Sequence, residues 1–258
     1  MRGIRRIGIG TGIVIIILLA VFGLAQQKYL VPVLMYHSVA PSVEPGGLLT
    51  VSVDSFERQM RFLREHRTPV TLEAAAASIL AKSRTMGAVA VTFDDGYEDN
   101  YLYAFPILQK YRIPATVFLI TSWVGEKGYL TWEEVRRMRD SGLVSFGSHT
   151  VNHEPLTKLP PEESGREIVQ SKKLLEEKLG GTVRTFCYPL GNMNAAVRAQ
   201  VIDAGYALAV GTNPGKRWPD NDVFAIKRLR ISENARSLLV FGMETSGYYN
   251  FFKRGSKR

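Results

Sequence analysis

A single cysteine in 258 residues, Cys187, rules out an intrachain disulfide and any cluster of thiolates around a metal. Histidine is scarce as well: the chain has four, and none follows His153. Past the first thirty or so positions there are no internal repeats, no low-complexity linkers and no break in composition, so one large domain is the simplest organisation. Positive charge is plentiful but badly placed for a nucleic acid. Of the formal net charge of +9, seven charges belong to Arg2, Arg5 and Arg6 at one end and Lys253, Arg254, Lys257 and Arg258 at the other. The stretch between is nearly neutral and carries no basic stripe interleaved with aromatics, which argues against nucleic acid as a partner.

The first arginines have a different use. "MRGIRR" precedes a run without charge from Ile7 to Ala25. A basic start and an apolar run make a signal peptide or a membrane anchor. The run approaches the ~20 residues that span a bilayer, which favours an anchor. "GLA" before Gln26 also suits a cleavage site. Under the positive-inside rule the remainder lies outside the cytoplasm, tethered to the membrane or secreted. This divides the chain into a hydrophobic segment over 1–28, a folded domain over 29–247 and a basic tail over 248–258.

From Tyr29 onward, short apolar runs alternate with amphipathic stretches. "VPVLMY", "AVAVTF", "ATVFLI", "LVSFGS", "VRTFCY", "YALAV" and "AIKRLRI" read as strands. "SFERQMRFLREH" predicts a helix with Phe56, Met60 and Leu63 on one face and Asp54 or Ser55 as its cap. "YLYAFPILQKY" predicts a helix that kinks or starts late at Pro106. "TWEEVRRMRDSG" ends at Gly142, and the helix after "PP" has proline in its first turn and a glycine stop. Such alternation indicates an α/β fold, a parallel sheet with helices outside it, as a barrel or an open sheet.

In a barrel of this kind, functional groups gather where strands end. His37 follows "VPVLMY", the pair Asp94 and Asp95 follows "AVAVTF", and His149 follows "LVSFGS". An Asp-Asp-Gly sequence suits a plain turn. However, "SHTVNH" adds His153 four residues after His149, close enough to meet it on a helical turn or in a compact loop. Two imidazoles and one carboxylate are the usual protein ligands of a catalytic divalent ion, and the set suits zinc. The second carboxylate is then left beside the ion to act as a base.

"TFDDG" and "SHTVNH", in this order and at this distance, resemble the polysaccharide deacetylases of carbohydrate esterase family 4, the NodB-type domain. The resemblance runs from "VPVLMYHSV" to "RLRI". It implies a distorted (β/α) barrel that hydrolyses N-acetyl groups on polysaccharides with a metal. Carried over position by position, it implies Asp94 as general base and Asp95, His149 and His153 as ligands. The family's third motif, Arg-x-Pro-Tyr-Gly, stands here as "CYPLG". Pro189 and Gly191 match, so Leu190 supplies the N–H toward the oxyanion, with Tyr188 and Pro189 beside the substrate. Cys187 replaces the arginine that partners the base, and Arg228 or Arg230 in "IKRLRI" is a candidate substitute.

The family's C-terminal Leu-x-His is missing. The opening "MYHSV" resembles the subgroup acting on poly-N-acetylglucosamine, in which the N-terminal strand takes that motif's place. This implies His37 as general acid. His66 ends a helix and reads as structural. Tyr36, Tyr97, Trp132, Tyr188 and Trp218 are candidates for a sugar-facing wall. The expected activity is deacetylation of exopolysaccharide, peptidoglycan or chitin-like oligomers. The competing expectation, prompted by the altered motifs, is an inactive exported carbohydrate-binding or biofilm-structural protein.

Overall fold

The computed structural model describes residues 29–44, 47–81, 85–212 and 221–249. The expected anchor or signal over 1–28, Trp218 and the basic tail from residue 250 on lie outside the described residues. Among the described residues, no helix is long and apolar enough to cross a membrane.

The chain runs β1 (Val33–Tyr36), β2 (Ser38–Ala40), β3 (Thr50–Ser52), α1 (Val53–His66), β4 (Thr68–Pro69), α2 (Leu72–Leu80) and β5 (Ala88–Phe93). A π-helical turn, Asn100–Ala104, leads into α3 (Phe105–Tyr111) and β6 (Ala115–Leu119). Then come α4 (Trp132–Asp140), β7 (Val144–Ser148), α5 (Pro161–Leu179), β8 (Thr185–Cys187) and α6 (Ala195–Asp203). The last elements are β9 (Leu208–Gly211), β10 (Ile226–Lys227), β11 (Leu229–Arg230) and α7 (Leu238–Glu244). The main sheet is ordered β10-β9-β8-β7-β6-β5-β1-β11, with β4 beside β5 and every ladder parallel. β2 and β3 form a small parallel pair of their own.

All six residues of β5 are buried, as expected of a strand covered on both faces. Its two faces have different jobs. Val89, Val91 and Phe93 join the large core under the helices, whereas Ala88 and Ala90 join the core inside the barrel. The period of two then sends Thr92 and Asp94 inward after the two alanines. Small residues below leave room for polar groups above.

Closure depends on one short segment. β10 pairs with β9 and β11 pairs with β1, and only Arg228 stands between β10 and β11. The run "AIKRLRI", expected as one strand, changes neighbour at that residue and so brings the two ends of the sheet together. The barrel expectation holds, with the open-sheet alternative set aside.

Helix α1 buries Phe56, Met60 and Leu63 fully, as the spacing predicts. Its cap is Ser52 rather than Asp54 or Ser55, because Ser52 is the last extended residue and its side chain accepts from the Ser55 N–H at 3.3 Å. Helix α4 carries the reciprocal Thr131–Glu134 capping box, and α5 begins at Pro161 and stops at Gly180. Pro106 lies in the first turn of α3, so the late start is what forms, behind the π turn. The alanine-rich α2 has too weak an apolar periodicity to stand out in the sequence.

Candidate active site

Strand register builds the site. β1 and β5 pair Tyr36 with Phe93, so the residues that follow, His37 and Asp94, emerge side by side. β6 and β7 pair Leu119 with Ser148, and Ser148 in turn faces Phe186 of β8. His149 therefore leaves its strand next to Cys187. All of these groups reach the C-terminal rim of the barrel, where an open cavity of ≈ 240 Å³ is lined by His37, Asp94, Asp95, His149 and His153.

Asp95, His149 and His153 turn one atom each toward a common point. His149 Nε2 is 3.6 Å and His153 Nε2 is 3.8 Å from Asp95 Oδ1. Those separations are too long for hydrogen bonds and suit atoms sharing one ion at bond lengths of about 2.0–2.2 Å. His149 Nδ1 lies 2.8 Å from the Cys187 carbonyl oxygen, and a backbone carbonyl can only accept. The proton therefore sits on Nδ1 and the Nε2 lone pair points into the cluster, the arrangement expected of a metal-ligating histidine. Burial lowers the His149 pKa to about 3, against the pull of Asp94. Burial lowers His153 too, so both imidazoles stay neutral and able to coordinate. Burial and then the Asp94 charge push Asp95 up to about 6. A carboxylate that is uncomfortable with its charge welcomes a cation. The residues fit a divalent ion.

The two histidines meet in a compact loop rather than on a helix turn. Glu167 of α5 accepts the N–H groups of Val151 and Asn152 at 2.9 Å each, and the Asn152 amide at 2.7 Å. The His153 N–H donates to Thr150 Oγ1 at 3.0 Å. Backbone strain concentrates here. Among the described residues five non-glycine positions have positive φ, and Asp95, Thr150, His153 and Leu190 are four of them. For β-branched Thr150 this conformation is a genuine outlier, of the kind that functional sites retain.

Asp94 is 3 % exposed and meets Arg228 through two hydrogen bonds of 2.6 Å, Nη1 to Oδ1 and Nη2 to Oδ2. Arg228 also donates to Thr92 Oγ1 at 3.0 Å and to the Gly211 carbonyl at 3.2 Å. Burial alone would raise the Asp94 pKa, but the guanidinium outweighs it and holds the carboxyl well below the usual range. Of the two candidate arginines, the structure selects Arg228 as this partner; Arg230 is exposed on the cavity rim. Cys187 Sγ lies 3.1 Å from Arg228 Nη2, and burial drives its thiol pKa well above normal. Asp94, His149 and Cys187 also converge, yet the cation against both Asp94 and Cys187 opposes an ion there.

His37 Nε2 stands 3.9 Å from Asp94 Oδ2. Burial lowers its pKa, partly offset by Asp94 and Asp95. On the far wall, Leu190 sits at φ 57° in the Pro189–Gly191 turn and is 61 % exposed. Tyr188 borders the same cavity, but the residue is fully buried and its hydroxyl donates to the Phe224 carbonyl at 3.0 Å, so its ring is committed to packing rather than displayed to a sugar. Tyr36 is buried as well, donating to Gln59 Oε1 at 2.8 Å. Trp132 packs against the core, and Tyr97 neighbours Asp95 and stacks on Tyr129. His66 is exposed in the last turn of α1 and meets the Phe62 ring, in keeping with a structural role.

Comparison with known proteins agrees with this geometry. The polysaccharide deacetylase family model matches residues 81–209. YxkH of Bacillus subtilis is 35% identical over 203 residues, which cover 78% of this chain and 71% of that protein. The poly-beta-1,6-N-acetyl-D-glucosamine N-deacetylase of Staphylococcus aureus is 29% identical over 205 residues, covering 74% of this chain and 71% of its own. Among solved structures, the Streptococcus pyogenes deacetylase PplD, in complex with acetate, superimposes with a TM-score of 0.72 at 30% identity, covering 79% of this chain and 93% of that one. The chain belongs to the polysaccharide deacetylase family and is a hydrolase of that class. The non-enzymatic alternative is thereby set aside.

Proposed function

We propose that this enzyme hydrolyses acetamido groups of an N-acetylglucosamine polymer outside the cytoplasm, with exopolysaccharide poly-N-acetylglucosamine as the favoured polymer. Peptidoglycan and chitin-like oligomers are the other substrates in reach of an exported domain. The observation that carries the reading is one cavity shared by the triad Asp95–His149–His153 and by Asp94, a carboxylate kept ionised by Arg228. The name of the Staphylococcus aureus relative and the "MYHSV" opening favour the exopolysaccharide. The N-terminal run of the sequence supports a membrane-tethered domain.

Asp95, His149 and His153 would hold the ion, which we take to be zinc; when bound, it supplies Lewis acidity toward the acetyl carbonyl and lowers the pKa of water. Asp94, ionised at neutral pH, accepts a proton from the attacking water as the new C–O bond forms. The Leu190 backbone N–H faces the oxygen that gains negative charge. His37 gives a proton through Nε2 to the sugar nitrogen as the C–N bond breaks. Acetate and a free amine result, and the elements of one water are consumed.

Acetate release from the three polymers by the zinc-loaded domain tests this, with Asp94→Asn and His37→Ala run in parallel. Release from poly-N-acetylglucosamine that both substitutions abolish is the expected result. Release only from peptidoglycan or chitin oligomers overturns the choice of polymer. Release that survives in Asp94→Asn overturns the mechanism.

A further inference from the structure

The turn that follows the Asp94–Asp95 pair is wound as a π-helix, closed by a hydrogen bond from the Phe105 N–H to the Asn100 carbonyl. Such turns are rare and concentrate at functional sites. Its first residue, Asn100, is polar and 0 % exposed. Asn100 Nδ2 donates to the His37 carbonyl oxygen and to Asp99 Oδ1, both at 2.8 Å. Asp99 Oδ2 in turn accepts from Ser38 Oγ at 2.6 Å. Two neighbouring residues of the β5 loop thus grip the chain at His37 and Ser38, just beyond β1.

These bonds also fix which way the Asn100 amide faces. Turning it over would set its oxygen against two other oxygens, so Nδ2 must face them. Asn100 Oδ1 then points away and has no partner. His37 Nδ1 is buried without a hydrogen-bond partner as well. A buried acceptor and a buried ring nitrogen, each costly to leave unmatched, thus belong to two residues already joined by a hydrogen bond. They are complementary when Nδ1 carries a proton.

We propose that Asn100 is a positioning residue for His37: Nδ2 holds the histidine backbone, and Oδ1 accepts the Nδ1 proton, directly or through one bridging water. This rests on the role of His37 proposed above. Nδ1–H is the tautomer left behind when an imidazolium has delivered its Nε2 proton. Stabilising it favours delivery to the leaving nitrogen and commits Nε2, the nitrogen nearer Asp94, to the exchange.

A change of leaving group separates this role from a merely structural one. Hydrolysis of the sugar amide needs a proton on nitrogen, whereas 4-nitrophenyl acetate leaves as a phenolate without one. Zinc-loaded wild type, His37→Ala, Asn100→Leu and Asp99→Asn are assayed on the N-acetylated polymer and on the ester. The His37 tautomer is read by long-range proton–nitrogen NMR. Expected for Asn100→Leu is a fall in kcat on the amide of about tenfold or more, KM nearly unchanged and ester hydrolysis kept. The His37 resonance should leave the Nδ1–H form in Asn100→Leu and stay in it in Asp99→Asn, which retains Oδ1. Equal losses on amide and ester, or an unchanged tautomer, overturn the inference while leaving the function intact. His37→Ala that keeps amide activity overturns the acid assignment and the inference with it. Asn100→Ser replaces the leucine variant if that one does not fold.

Discussion

Arg228 grips Asp94 with both arms of its guanidinium, at 2.6 Å each, across 134 positions of sequence. The contact exists because the strand that closes the barrel changes partner at Arg228. The same residue that joins β9 to β1 also sets the charge of the candidate base. Fold closure and the ionisation of the candidate base are thus coupled at one side chain.

Arg228→Met should leave Asp94 buried without a counter-charge. Losing one member of such a pair costs about 3–5 kcal/mol. The contribution of the pair is complete above the ordinary carboxylate range, near ~4, and fades as pH falls through and below it, because Arg228 stabilises the ionised form. Urea denaturation of wild type and variant at neutral pH and at pH 3 checks this: the gap between them should narrow at the lower pH. Activity should fall by at least about tenfold in Arg228→Lys, since an ammonium cannot make the paired contact.

Removal of the proposed metal should have a stability signature as well as an activity one. An ion held only by the folded chain adds about 2.7 kcal/mol when it is present at a hundred times its Kd. For a domain of this size that is a Tm rise of roughly 5–11 °C. Thermal scans of chelator-treated protein, with zinc titrated back, should show this shift in wild type. It should be all but absent in His149→Ala, which also removes the ring held by the Cys187 carbonyl.

The fold was legible because its strands are buried on both faces and appear as unbroken apolar runs, "AVAVTF" above all. The site was legible because the groups that carry it sit at the ends of those runs. What stayed hidden was long-range. "AIKRLRI" looks like one strand, and nothing local says that Arg228 is where it changes neighbour. Tyr188 shares a motif with Leu190, but the phase of β8 turns its ring into the core. Asn100 and Glu167 look like ordinary loop and helix polars, and only the packing reveals that they hold His37 and the histidine loop.

Restoring the arginine of the family's third motif should do harm. Cys187 is fully buried, and its sulfur already touches the Arg228 guanidinium at 3.1 Å. Cys187→Arg would bring a second cation into a space sized for a thiol, against the first one. Overpacking alone costs about 1–3 kcal/mol, before any charge repulsion. Cys187→Ala should stay folded and active, which far-UV circular dichroism and acetate release would show. An active, stable Cys187→Arg enzyme would mean that the two arginines can exchange roles.

Gly191 offers a test of the oxyanion wall that leaves every polar side chain in place. Its φ is +68°, and a Cβ there would lie 2.7 Å from the backbone N, Cβ and Oγ1 of Thr212. Neither the backbone nor a β-branched side chain can yield cheaply, so Gly191→Ala must move the Pro189–Gly191 turn. Conformational strain adds to that clash, since an L side chain disfavours positive φ by roughly 1–2 kcal/mol. The Leu190 N–H should be displaced from the developing oxyanion, while Asp95, His149 and His153 stay where they are. Loss of one such donor lowers kcat by about 10²–10³-fold in comparable sites. Steady-state kinetics should therefore show a fall in kcat with little change in KM, and zinc affinity should equal that of wild type. A variant with full kcat would place the oxyanion donor elsewhere on the rim.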